Sequence, residues 1–259
     1  MNDMYSNASG KPVMATLAIG SDYVRALKTC LDSKQAYADK HGYVYVQAGE
    51  QFWDRFRPIA WSKIPFLLDL CNRLPEGTLI WQSDADVLIT NSDLTIEQQM
   101  VSLLPENKDM LLSLDACGHI NSGNILFRNT AWSRDFWKRV GDMKQFTYHP
   151  WWENAAMCCL WENNTEDFNK IEISRQHKKF NAYIRAMPGE QAWAPGDFLV
   201  HFAGIYNLQQ MEVFANQCLA GETPSLSLEQ GEIEACLASR YQILNHIKKM
   251  TQQQQQQEG

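Results

Sequence analysis

Short apolar strands alternating with helical segments predict an α/β fold with a mostly parallel central sheet flanked by helices. Two further observations support it. The apolar runs are brief and end in Gly, Asp or Ser, as buried strands entering turns do. The chain has 259 residues, 45% hydrophobic and 20% charged, an ordinary globular balance with ample length for one large core.

Val13–Ile19 reads as a buried first strand that turns at Gly20-Ser21-Asp22. Tyr23–Lys40 has helical apolar spacing and stops at Gly42. Tyr43–Val46 is aromatic and β-branched, a second strand. A helix over Trp61–Asn72, a turn at Pro75-Glu76-Gly77 and a strand over Thr78–Gln82 repeat the unit. Helices are expected over Leu94–Leu104, Trp132–Val140, Trp151–Trp161, Ile205–Leu219 and Ile233–Met250. Strands are expected over Met110–Leu114, Ser122–Arg128, Ile171–Ile173, Ala182–Arg185 and Phe198–His201. The domain organisation read from this is a polar tail over 1–12, one α/β domain over 13–222, a helical appendage over 223–250 and a glutamine-rich tail over 251–259. Six consecutive glutamines, Gln252–Gln257, predict disorder in that tail.

Composition excludes several classes. A net charge of −7 provides no basic field for nucleic acid or an anionic membrane surface. No apolar run approaches the roughly 20 residues of a bilayer span. The polar start, MNDMYSNASGKP, has no apolar core of a signal peptide, so a cytoplasmic location is expected. Seven cysteines without a CxxC pair read as free, buried thiols in a reducing compartment. Nine tryptophans fit a large aromatic core, with some free to stack on sugar rings.

The sharpest chemical feature is Leu79-Ile80-Trp81-Gln82-Ser83-Asp84-Ala85-Asp86, an apolar strand running into two carboxylates. At the carboxyl end of a parallel strand such groups face the crevice where α/β sheets bind ligands. Neighbouring carboxylates repel unless a cation neutralises them, and oxygen ligands suit Mg²⁺ or Mn²⁺. An acidic turn after a strand is the plainer reading. A phosphatase nucleophile loop of the form DxDx[TV] is a third, but position 88 is Leu. His201 ends another apolar run beside Phe202-Ala203-Gly204, where it offers a nitrogen ligand or serves as an ordinary core histidine.

Six blocks carry a resemblance. They are Ala36-Tyr37-Ala38-Asp39-Lys40-His41-Gly42-Tyr43, Trp61-Ser62-Lys63-Ile64-Pro65, Trp81–Asp86, Asn121-Ser122-Gly123-Asn124 with Phe127–Ser133, Trp152-Glu153-Asn154-Ala155-Ala156, and His201-Phe202-Ala203-Gly204. In this order, over roughly 13–206, the chain resembles the galactosyl/mannosyl/xylosyl transferase family, which includes fungal α-galactosyltransferases, α-1,6-mannosyltransferases and plant xyloglucan xylosyltransferases. The resemblance implies a GT-A fold and a retaining, metal-dependent transfer of a hexose or pentose from a UDP- or GDP-sugar to a glycan or other hydroxyl acceptor. It implies Asp84, Asp86 and His201 as ligands of Mn²⁺ or Mg²⁺, and Lys63 as a basic residue facing the donor. Asn121, Ser122 and Gly123 match the segment lining the sugar pocket, and Gly204 of the histidine block is implied as a further donor-binding residue. Glu153 and Asn154 match an acidic/amide pair beside the reacting carbon.

The plain readings of these positions are a solvated Lys63, a tight turn at Asn121–Gly123, and a Glu153 favoured by a helix dipole. Relatives often carry Gln at the second position of the pair and a lysine and cysteines soon after the histidine block. Here Asn154 and Ile205-Tyr206-Asn207 stand instead. A catalytically silent nucleotide-sugar or glycan binder on the same fold is the alternative function.

Overall fold

The computed structural model describes residues 10–257. Residues 1–9 of the expected polar tail, and 258–259, lie outside the described residues. The strands are β1 (Val13–Leu17), β2 (Val44–Ala48), β3 (Leu79–Ser83), β4 (Val87–Ile89), β5 (Met110–Leu114), β6 (Ile120–Arg128), β7 (Ile171–Ile173) and β8 (Leu199–His201). The helices are α1 (Ser21–Ala26), α2 (Lys28–His41), α3 (Lys63–Arg73), α4 (Ile96–Gln99), α5 (Ala131–Asp142), α6 (Trp152–Asn163), α7 (Thr165–Lys170), α8 (Leu208–Leu219) and α9 (Gln230–Gln257).

The six-stranded main sheet has the order β2-β1-β3-β6-β5-β7. Only β6 runs against the rest, antiparallel to both β3 and β5. The expected α/β architecture with a mostly parallel sheet therefore holds. The strands are apolar on both faces because helices or loops cover both. Val13, Ala15, Ile80, Met110, Leu112, Ile125 and Phe127 point to the layer of α3, α5 and α6. Met14, Trp81, Leu111 and Leu126 point the other way, toward Tyr37 of α2 and the β4–β8 pair. Six of the nine tryptophans (Trp61, Trp81, Trp132, Trp137, Trp161 and Trp193) are buried, which makes the aromatic core the main explanation of their number.

Several sequence expectations are corrected. The single helix over Tyr23–Lys40 breaks into α1 and α2 at Leu27, and α2 ends where Gly42 adopts the left-handed conformation that glycine tolerates. The helix over Leu94–Leu104 shrinks to the four residues of α4, capped reciprocally by Thr95 and Gln98, plus a 3₁₀ turn. Ala182–Arg185 is not a strand. Only Tyr183 bridges to His201, on the edge of β8 opposite β4. The short β4 and α7 were not anticipated. α9 continues through the glutamine run to Gln257, consistent with the good helix propensity of Gln.

The expectation of seven free thiols also fails. Cys117 and Cys236 are paired as a disulfide, joining the loop before β6 to α9. Five cysteines remain free. Among the described residues no helix is long and apolar enough to cross a membrane.

One buried ion pair fixes the helical layer. Asp167 at the start of α7 is fully buried and accepts from both terminal nitrogens of Arg139, at 2.5 and 2.7 Å, and from Trp132 Nε1 at 3.0 Å. Asp167→Ala leaves the indole N–H and part of the guanidinium without partners. The expected loss is about 2–3 kcal/mol, below the full cost of breaking a buried pair because Arg139 keeps Asp135 and some solvent. Urea denaturation checks it.

Candidate active site

The site forms where β3 ends. Its last residue, Ser83, pairs with Asn124 of the antiparallel β6, so β6 continues past β3 and runs beside Asp84. The Asp84 N–H donates to the Gly123 carbonyl at 2.8 Å, and Gln82 Nε2 donates to Asp84 Oδ1 at 2.7 Å. The chain then turns through Ala85 and Asp86 into β4. Val87 pairs with His201 across the small sheet, and this register carries the histidine back to the acidic turn.

Asp84, Asp86 and His201 offer three ligand atoms within 4.8 Å of one another. His201 Nε2 lies 3.5 Å from Asp86 Oδ1, too far for a good hydrogen bond. Its other nitrogen, Nδ1, lies 2.9 Å from Asn181 Oδ1. The Asn181 amide nitrogen is committed to Ser113, Asn121 and Tyr183, so its oxygen must accept. The proton therefore sits on Nδ1, and the Nε2 lone pair is directed at the carboxylates. Two carboxylates and a neutral imidazole suit a divalent cation such as Mn²⁺ or Mg²⁺.

Lys63 is not the solvated lysine of the plain reading: it is only 6% exposed. It lies 2.9 Å from Asp84 Oδ1, 2.8 Å from Ser122 Oγ and 3.3 Å from Glu153 Oε1. Burial alone would lower its pKa, but the Asp84 and Glu153 carboxylates raise it above the usual lysine value. The residue is thus a fixed cation beneath the acidic turn.

Glu153 is 2% exposed and also accepts from Ser122 Oγ at 3.0 Å. Its second oxygen, Oε2, is buried without a hydrogen-bond partner. Burial pushes this carboxyl upward, against the pull of Lys63. Asn154 Oδ1 accepts from the Ser122 N–H at 2.8 Å. Both members of the pair therefore grip β6 from the first turn of α6. The residue before them, Trp152, has φ 43°, a left-handed conformation that costs a non-glycine residue energy and here aims Glu153 inward.

Gly123 and Gly204 matter through what they lack. A Cβ at Gly123 would lie 2.0 Å from His201 Cε1. One at Gly204, where φ is +75°, would lie 2.9 Å from Arg185 Nη2. Asn121 Oδ1 accepts from the Gly123 N–H and from Asn181 Nδ2, each at 3.0 Å, so it braces the segment rather than lying free.

Sequence reasoning missed three contributors. Asn181 follows no recognisable strand. Lys34 is an unremarkable lysine of α2, yet it is fully buried, donates to the Asp84 carbonyl, and is drawn down to about 8 by burial. Tyr23 lies close enough to Asp86 and Asp84 that they join burial in raising its phenol. A lysine on the apolar face of a helix was the one available signal.

Residues 11–113 match the galactosyl transferase GMA12/MNN10 family. The chain is 26% identical over 199 residues to a probable alpha-1,2-galactosyltransferase gmh2 of Schizosaccharomyces pombe, covering 58% of this chain and 52% of that protein. It is 22% identical over 169 residues to a probable alpha-1,6-mannosyltransferase MNN10 of Saccharomyces cerevisiae, covering 53% and 40%. The chain thus spans about half the length of the curated relatives it matches. A solved glycosyltransferase involved in glycosylating the major capsid of PBCV-1 superposes with a TM-score of 0.61 at 14% identity, over 80% of this chain and 100% of that one. The resemblance and the glycosyltransferase fold read from the sequence are borne out.

Gly123→Ala should displace the His201 ring and weaken Mn²⁺ binding at least tenfold while circular dichroism stays native; calorimetric titration with Mn²⁺ checks it. Lys63→Met should leave Glu153 buried without its cation. A carboxyl whose folded pKa lies above 4.5 stabilises the fold fully below that value, and the contribution is lost as pH rises through the folded pKa. The variant's urea midpoint should therefore fall, relative to the wild type, as pH rises above 4.5.

Proposed function

We propose that this relative of the galactosyl transferase GMA12/MNN10 family is a metal-dependent, retaining glycosyltransferase that uses a nucleoside-diphosphate sugar. The observation that carries the reading is the convergence of Asp84, Asp86 and His201 at the end of β3, with the His201 tautomer set by Asn181.

Asp84, Asp86 and His201 would hold the divalent cation. When bound, the cation supplies Lewis-acid neutralisation of the charge that develops on the departing diphosphate. The chain's own residues supply the rest. Lys63 fixes the Asp84 carboxylate in one orientation, so no reorganisation is needed when charge develops. Asn121, Ser122 and Gly123 form the wall beside the acidic turn. Glu153 and Asn154 lie behind that wall at the α6 N-terminus, on the side suited to a sugar carbon gaining positive character. Glu153 Oε1 is engaged by Lys63 and Ser122, which favours an electrostatic role over nucleophilic attack.

Retention rests on the family. The relatives' names specify α linkages, and the common UDP-galactose and GDP-mannose donors are themselves α-linked. Preserving that configuration requires the acceptor hydroxyl to approach the face from which the diphosphate leaves. A cavity of about 440 Å³ provides an acceptor site. Tyr183 and Arg185 line it and are also tied to the metal residues, since the Tyr183 hydroxyl accepts from Asn181 and the Arg185 guanidinium packs on Gly204. Its size falls in the range of small-ligand sites. Its charges are largely paired internally, Lys108 with Glu172 and Arg240 with Glu190, as suits a neutral glycan.

The test is a donor screen with and without Mn²⁺. Transfer, or slow hydrolysis of one UDP- or GDP-sugar, should appear with Mn²⁺ and vanish in EDTA. Asp86→Asn should lower the rate at least about a hundredfold, close to 3 kcal/mol of barrier. Activity that persists in EDTA, or a β-linked product from an α-linked donor, would refute the proposal.

A further inference from the structure

A second group of metal-binding side chains lies apart from Asp84, Asp86 and His201. Asp115, Cys117 and His119 alternate along the loop between β5 and β6, and their ligand atoms lie within 4.8 Å of one another. A fourth group reaches them from the far end of the sequence. Cys236 of α9, itself buried, places its sulfur within bonding reach of the Cys117 sulfur. We propose that in the reduced chain Asp115, Cys117, His119 and Cys236 together bind one zinc ion that fastens α9 to the loop entering the active-site strand.

The orientation of His119 points to a ligand. Its Nε2 lies 2.8 Å from the Ser239 hydroxyl, one helical turn beyond Cys236. Its Nδ1 is buried with no hydrogen-bond partner. A buried ring nitrogen without a partner is costly, so something else satisfies it. Asp115 Oδ1 is 3.8 Å away, too far for a hydrogen bond. That gap does admit an ion bonded to each atom at about 2.0–2.2 Å. The outer nitrogen held by a hydroxyl, and the inner one facing a cluster, is the usual arrangement of a metal-bound imidazole.

The donor set selects the metal. Two thiolates, an imidazole and a carboxylate fill a tetrahedron and leave no open position, which describes a structural zinc site. Mg²⁺ and Mn²⁺, which prefer oxygen, belong with the other cluster. Each thiol gives up its proton on binding, and the two sulfurs can bond to each other or to the ion but not both. The loop closes tightly enough to present three ligands: the Asp115 carboxylate accepts from the N–H groups of Cys117 and His119, each at 2.9 Å. Arg240 reinforces the joint, donating to the Ala116 carbonyl at 2.5 Å and to Glu190 at 2.6 and 3.1 Å. The loop runs directly into Ile120 and the Asn121–Gly123 wall, and Asp115 also lines the neighbouring cavity, so the ion would brace the active site from its rim.

Cobalt provides the test. Protein reduced with a phosphine, stripped of metal and titrated with Co²⁺ should develop thiolate-to-cobalt absorption and the visible bands of a tetrahedral site, saturating at one equivalent. Asp86→Asn should keep that spectrum, whereas Cys236→Ser should lose much of the thiolate band. If Cys236→Ser does not fold, native alkylation of the wild type decides instead: Zn²⁺ should slow iodoacetamide labelling of Cys117 and Cys236 at least tenfold. Absence of the thiolate band from fully reduced protein, or equal labelling with and without Zn²⁺, would overturn the site. These readouts do not depend on glycosyl transfer.

Discussion

The arrangement depends on one buried ammonium. Lys63 lies between Asp84 and Glu153 and reaches Ser122 as well, so a single cation joins α3, the acidic turn, β6 and α6. The Glu153 carboxylate is almost fully buried, and the ammonium offsets the cost of holding its charge there. The apolar layer of α3, α5 and α6 against the sheet supplies the enclosure, and the lysine makes that enclosure compatible with charge.

Around this centre the molecule fixes orientation in advance. Asn181 sets the His201 tautomer while its amide nitrogen ties together Ser113, Asn121 and Tyr183. Lys34 holds the Asp84 carbonyl from the opposite layer. The strained Trp152 backbone starts α6 at the angle that sends Glu153 inward. Each element is small. Together they leave the acidic turn little freedom, which is what electrostatic stabilisation of a developing charge requires.

The C-terminal helix is part of the same design. Through Cys236, Ser239 and Arg240, α9 reaches the loop that leads into β6, and Arg240 also lines the cavity beside the site. An appendage to a finished domain would not contribute a wall to its cavity. The stretches on either side of residue 223 share this surface.

Much of the fold was legible in the chain because strands and helices announce themselves through local periodicity. β5 and β7 match their expected bounds, and β8 misses by one residue, since short apolar runs bounded by turn residues leave little choice. The acidic turn was equally visible, because two carboxylates after an apolar strand are a local pattern. What the sequence could not specify are the contacts between residues distant along it. That Lys63 is buried between Asp84 and Glu153, that Asn181 supports His201, and that Cys117 meets Cys236 across 119 residues all depend on how layers pack. Local pattern determined the elements and the acidic turn; tertiary packing decided which polar groups meet, because burial requires every buried charge to find its partner wherever the chain brings one.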